Sequence, residues 1–204
     1  MNPKLKYSIL LLILITMFLF ISINSYASTV SQNLSENFFR LHILANSNSK
    51  KDQELKLKVR DNIIEYMNSL SYSGLNKEDV IYLTQKNVDN FQKIAKETII
   101  SEGYDYDVKV EIGNFYFPTK IYGNISLPAG NYDAIRITIG EAKGENWWCS
   151  LFPPLCFIDI SSGVISDKSE NELKANLSNE EFAIITEDSK TIKLKFKLVE
   201  LFSN

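Results

Sequence analysis

The sequence predicts an α+β fold: a two-layer domain with a mixed β-sheet, two helices packed on one face, and an N-terminal signal or anchor segment ahead of it. Three observations carry this. Apolar residues alternate with period two at Phe39–Ala45, Val108–Ile112 and Ile135–Ile139. Helical spacing fills the chain between the first two of those stretches. A long apolar run opens the chain and is then not repeated.

That opening run reads as an export signal. Lys4 and Lys6 precede Tyr7–Ile23, which is apolar apart from Ser8, Thr16 and Ser22, and Ser25-Tyr26-Ala27 follows. A basic start, an apolar centre and a small-residue ending are the three parts of a secretory signal. Cleavage after Ala27 fits. The run also lies at the lower limit for spanning a bilayer, so an uncleaved anchor stays open. Either version puts residue 28 onward outside the cytoplasm, because Lys4 and Lys6 stay inside. The whole chain of 204 residues carries a formal charge of −3, and losing those two lysines takes the exported part to −5. A phosphate-binding partner needs a basic surface, so nucleic acid is not expected. About 177 residues remain, enough for one domain with a core. The expected organisation is 1–27 signal or anchor, 28–37 polar tether, 38–165 the α+β domain, and 166–204 an extension packing on it.

Within the domain, Phe39, Leu41, Ile43 and Ala45 share one face of the first strand, and Arg40, His42, Leu44 and Asn46 the other. Ser49, with Asp52 three residues on, predicts a capped helix start, followed by Leu55, Val59, Ile63, Tyr66 and Leu70 at helical spacing. Asn76, with Glu78 and Asp79 behind it, predicts a second helix running to Gly103 as its C′ residue. Two helices between the first and second strands allow a parallel crossover. Val108 to Ile112 is a half-buried strand that Phe115-Tyr116-Phe117-Pro118 ends, Ile121-Tyr122 a possible short strand, and Tyr132–Ile139 the next long one. Leu155–Ile160 is a strand candidate after the Pro153-Pro154 corner. Ser166–Ala183 has room for one short helix. Ile192–Leu198 alternates as a strand does, with a terminal helix over Leu198–Phe202 as the competing reading.

The candidate chemistry is sparse. Cys149 and Cys156 are the two cysteines of the chain, seven positions apart. Outside the cytoplasm an even pair reads as a disulfide; two buried free thiols are the other reading. Zinc would need further ligands, and the chain has one histidine, so no metal and no cofactor are expected. A Cys149–His42 nucleophile and base would have to be shown by geometry. Glu111, Asp133, Glu141 and Asp159 stand where solvated acids normally occur, and no pair suggests a hydrolase. Gly140 and Gly144 lack the Gly-Lys-Ser/Thr of a phosphate loop. Trp147 and Trp148 are adjacent, so in a strand they point to opposite faces, one to the core and one outward. Arginine and tryptophan are common interface anchors. The expected partner-binding set is Arg40, His42, Asn46, Ser47, Trp147 and Trp148.

These segments resemble one family. Phe39-Arg40-Leu41-His42-Ile43-Leu44-Ala45-Asn46-Ser47, then Gln53, Lys56 and Val59-Arg60-Asp61, then Gly140 and Gly144 leading to Asn146-Trp147-Trp148-Cys149, Leu151-Phe152-Pro153-Pro154-Leu155-Cys156, look like stage II sporulation protein R. Gly113–Lys120 and Tyr122–Tyr132 resemble it too. The resemblance covers about Phe38 to Asp159. It implies a signalling protein rather than an enzyme. Such a protein is made in the forespore and exported into the space between forespore and mother cell. There it activates a membrane-embedded aspartic protease that processes a mother-cell sigma-factor precursor. Two other classes stay open from the residues alone: an exported cell-wall hydrolase and an extracytoplasmic ligand-binding module.

Overall fold

The computed structural model describes residues 3–70, 74–156 and 167–186. Its centre is a four-stranded mixed sheet in the order β2-β5-β1-β6. The strands are β1 Phe39–Leu44, β2 Val108–Phe117, β5 Gly130–Ile139 and β6 Asn146–Phe152. A small hairpin of β3 Lys120–Tyr122 and β4 Ile125–Leu127 stands apart from it. The α+β class with a mixed sheet is as the sequence predicts. The parallel partner of β1 is β5, in register His42 opposite Arg136. It is not β2, which pairs antiparallel with β5 and lies two places from β1. The helices therefore carry the chain from the central strand to the far edge, and β5 returns between them.

One face is covered as expected. α2 Lys50–Ser69 starts at Ser49, whose side chain accepts from the Asp52 amide. Leu55, Val59, Ile63 and Met67 form its buried stripe, closing on Phe39, Leu41, Ile43, Ile135 and Ile137. The expected second helix is two: α3 Lys77–Lys86 and α4 Val88–Ser101. The break falls at Asn87, whose side-chain oxygen accepts from the Tyr66 hydroxyl at 2.9 Å and whose amide nitrogen donates to Leu83 O. An asparagine able to bond its own backbone competes with the helix, and here it turns the chain so that α4 can lie on the sheet. α4 ends as predicted, with Gly103 N donating to Ile100 O and Tyr104 N to Ile99 O, both bonds of a Schellman cap.

The other face carries a second core that the two-layer reading leaves bare. Leu34, Phe38, Phe117, Ile125, Leu127, Tyr132, Ala134, Leu155, Leu173, Leu177 and Ile185 pack there. Phe117, Tyr132 and Ala134 belong to the sheet, and the layer over them comes mainly from the end of α1 Pro3–Glu36, the β3–β4 hairpin, and the helices α5 Asp167–Asn176 and α6 Asn179–Thr186. Two short helices thus occupy the stretch where one was expected. The polar segment taken as a tether is, to Glu36, the continuation of α1, and its Leu34 is fully buried. Polarity alone does not make a linker when an apolar side chain such as Leu34 finds a core. Within α1, Pro3–Ile23 is long and apolar enough to cross a membrane. The expected strands at Leu155–Ile160 and Ile192–Leu198 and the helix over 198–202 lie wholly or mostly outside the described residues. Leu155 itself is in the turn after β6, where its amide donates to Ser150 O.

Candidate functional site

The residues singled out from the sequence separate into two groups. Asn46 and Ser47 leave β1 and build a loop clamp. Asn46 Oδ1 accepts from the Glu141 amide, and its side-chain amide donates to Asp52 at 2.9 Å. Ser47 Oγ donates to the same carboxylate at 2.5 Å. Asp52 therefore does not complete a capping box; it ties the β1–α2 loop down. Burial alone would raise its pKa, but the hydrogen bonds, Ser47 and Asn46 foremost, hold it below the usual carboxylate range. Gln53 donates to Ser47 O, and Lys56 donates to Glu145 O at 2.8 Å. Across the gap, Gly144 N donates to Ala45 O and Lys143 N to Asn46 O. A Cβ on Gly144 would lie 2.2 Å from Ser47 O, and one on Gly140, at φ 55°, 2.2 Å from Asn46 Oδ1. The family-like glycines, Asn46, Ser47, Gln53 and Lys56 are thus accounted for by two loops stitched together.

Arg40 and His42 lie on the face of β1 that the sequence reading presents to solvent. Here it is a second core, and both are buried: Arg40 is 0% and His42 6% exposed. Neither can act as a surface contact in this conformation. The cause is strand position. β1 is central, and both faces of a central strand are covered when helices or hairpins lie on each side.

The Arg40 guanidinium sits 4.2 Å from the centre of the Phe117 ring and 4.7 Å from that of Tyr132. Its Nη2 donates to the Tyr122 hydroxyl at 2.6 Å, and that hydroxyl donates to Trp148 O at 3.1 Å. Burial raises the Tyr122 pKa, so the phenol stays a donor, although the Arg40 charge works the other way. His42 lies opposite Trp148 in the β1–β6 register. The two rings stack at 3.6 Å and 11°. Phe117 meets both edge-on. Burial, then the charges of Arg136, Arg40 and Lys120, lower the His42 pKa to about 3. The imidazole is neutral at pH 7, and neither ring nitrogen has a hydrogen-bond partner.

Trp147 points the other way, as adjacent strand residues must. It packs on the helix-side core under the Arg60 guanidinium, 4.2 Å from its ring centre. Both tryptophans are half-buried rather than one inside and one out. Next to them Cys149 is bonded to Cys156, as expected for an extracytoplasmic pair. The bond removes the thiol that a Cys149–His42 pair would need. The two groups also project to opposite faces of the sheet: Cys149 belongs to the helix-side core, while His42 stacks in the other layer. Among the described residues, no group of three or more His, Cys, Asp or Glu side chains is placed to hold a metal ion.

Sequence reasoning missed Phe117, Tyr122 and Arg136, which build this cluster from β2, β3 and β5. The alternation places Arg136 on a polar face, but only the register puts it beside His42.

The model of the stage II sporulation protein R family matches residues 35–162. The chain belongs to that family. Stage II sporulation protein R of Bacillus subtilis (strain 168) is 40% identical over 139 residues, which is 68% of this chain and 62% of that protein. The chain therefore matches less than two thirds of this relative's length. No solved structure matches it. Membership gives the chain a role in sporulation. The matched span takes in β1 to β6, so both the loop clamp and the Arg40–His42–Trp148 cluster fall inside it.

Proposed function

We propose that this protein is an extracytoplasmic sporulation signal that activates a membrane-embedded aspartic protease, which then processes a mother-cell sigma-factor precursor. On this reading the protein works in the space between forespore and mother-cell membranes, and the bond-breaking chemistry belongs to the partner. Membership of the stage II sporulation protein R family carries the reading. The apolar α1 fits a signal or anchor, and the Cys149–Cys156 disulfide fits an oxidising compartment. The surroundings of His42 support a ligand over a hydrolase. A general base must reach the proton it removes, yet the His42 ring is walled by Trp148 and Phe117, and no hydroxyl, thiol or carboxylate is hydrogen-bonded to it.

On this reading the contact surface lies in the same region. Asn46 and Ser47 act by holding structure, and Trp148, stacked on His42, and Trp147, under Arg60, are the half-buried members on the edge strand β6. The test is co-expression of the protein with the protease and the sigma-factor precursor in cells that otherwise lack all three. Cleavage that requires both the protein and the protease is the expected result. Cleavage by the protein alone, or turnover of cell wall by the purified protein, overturns the reading.

A further inference from the structure

The second face of the sheet is rich in donors and short of acceptors. Arg40 Nη1, Arg136 Nε and the two ring nitrogens of His42, one of them a donor in the neutral ring, are shut from solvent, and none has a hydrogen-bond partner. They are neighbours. His42 and Arg136 are opposite in the β1–β5 register, and Arg40 is two residues along β1 on the same face. The Phe117 ring touches the Arg40 guanidinium, His42 and Trp148 at once. Arg40 is the stranger member. It is fully buried, yet its hydrogen-bond partners are two neutral oxygens, Cys149 O at 3.4 Å and the Tyr122 hydroxyl. No described carboxylate pairs with it. Aromatic faces offset part of such a charge, but an unpaired buried cation still carries a desolvation penalty. Glu111 does not serve, because it is engaged on the rim by Arg136 Nη2 and Lys109.

What would satisfy this arrangement is an acceptor with negative charge and more than one lone pair. A carboxylate has two oxygens and room for several donors, and a guanidinium binds it best. The surrounding charges of Arg40, Arg136 and Lys120 favour an anion over a neutral amide. One wall is placed to yield. Trp148 lies on the edge strand β6 and is half-buried, and its ring is held by the stack on His42, an edge contact with Phe117 and Lys120 over its face, with no hydrogen bond to His42. We infer that Arg40, His42 and Arg136 receive a carboxylate side chain from the protein partner, admitted when the Trp148 ring leaves its stack on His42. The inference rests on the signalling reading for the identity of the donor as a protein, and on the geometry alone for the carboxylate.

His42 is the single histidine of the chain, so its ring resonances assign themselves. The first measurement titrates sodium acetate into the full chain in detergent micelles, with sodium chloride at equal ionic strength as the control. The His42 ring and Trp148 indole signals should shift and saturate with acetate, not with chloride. Arg136→Gln, a change at a partly exposed residue, should abolish the saturation. The second measurement uses cells holding the protease and the precursor. Arg136→Glu should reduce cleavage at least about tenfold at limiting protein, and replacing one acidic residue on the outward segments of the protease by lysine should restore it. A linear acetate response equal to that of chloride overturns the site. A saturable response with Arg136→Glu as active as wild type overturns the protein donor and leaves a free carboxylate as ligand. If wild type itself gives no cleavage, the signalling reading and the protein donor fall together, and the acetate titration still decides the site.

Discussion

His42 carries a measurable signature of its burial. Its pKa falls from 6.5 to about 3 because burial and the cations of Arg136, Arg40 and Lys120 all oppose the charged form. In the unfolded chain the ring takes up a proton near pH 6.5; in the folded chain it does so only near 3. Between those values the unfolded state binds more protons, so stability rises with pH and is lost as pH falls. The slope approaches about 1.4 kcal/mol per pH unit. Chemical denaturation between pH 6.5 and 5.5 should show it above most of the carboxylate range, and His42→Phe should flatten it there. An equal slope in that variant would place the titrating group elsewhere. The loop clamp makes a second prediction at this scale. Gly144→Ala drives a Cβ against the backbone carbonyl of Ser47, which cannot rotate aside. A loss of at least about 2 kcal/mol is expected in the same assay. Gly140→Ala meets the movable Asn46 side chain but must hold a positive φ, so it too should destabilise.

At the scale of elements, what could be read from the sequence follows the range of the interaction that decides it. The caps at Ser49 and Asn76 and the closing turn at Gly103 are local, and all three form as the residues suggest. Asn76→Ala should cost about 1 kcal/mol by removing the bond to the Asp79 amide, with the thermal midpoint as readout. The break at Asn87 escaped because its cause is distant: the Tyr66 hydroxyl on α2 fixes the asparagine side chain. The same holds for Arg40 and His42. Alternation assigns them correctly to one face, but whether that face meets water depends above all on the β3–β4 hairpin and Leu173, which are distant in sequence. Of the candidate site, the tryptophan pair, the disulfide and β1 were legible. Arg136 and Phe117 were not, because register is set by tertiary packing. The edge strands show how the sheet limits unwanted pairing. Gln92 bonds both the Val108 carbonyl and the Val110 amide on β2. On β6, the Tyr122 hydroxyl and the Leu155 amide occupy Trp148 O and Ser150 O.

The whole molecule is organised by two attachments, one covalent and one through α1. The Cys149–Cys156 bond closes a short loop at the end of β6, and the chain-entropy estimate for a loop of that size is about 2.5 kcal/mol. Replacing both cysteines by serine should lower stability by up to that amount while leaving the β1–β6 pairing in place, which amide exchange along β6 would report. The attachment through α1 is more informative about how the protein is delivered. The helix runs from the apolar span to Glu36, but only its last turns are built into the domain. Leu34 is fully buried among Phe38, Phe117 and Tyr132. Lys77, itself buried, pairs with Asp133 at 2.7 Å and reaches Ser35 O at 3.5 Å, placing a cation at the C-terminal end of the helix where the dipole favours it. Asn37 donates to Glu181 on α6. A cut after Ala27 would remove the span and spare every one of these contacts. Residues 28–204 should therefore unfold at the same denaturant midpoint as the full chain in detergent. Leu34→Ala should cost about 2–4 kcal/mol in either form. If deleting residues 1–27 proves as damaging as Leu34→Ala, the apolar segment belongs to the folded domain, and a cleaved, freely diffusing signal is ruled out in favour of an anchored one.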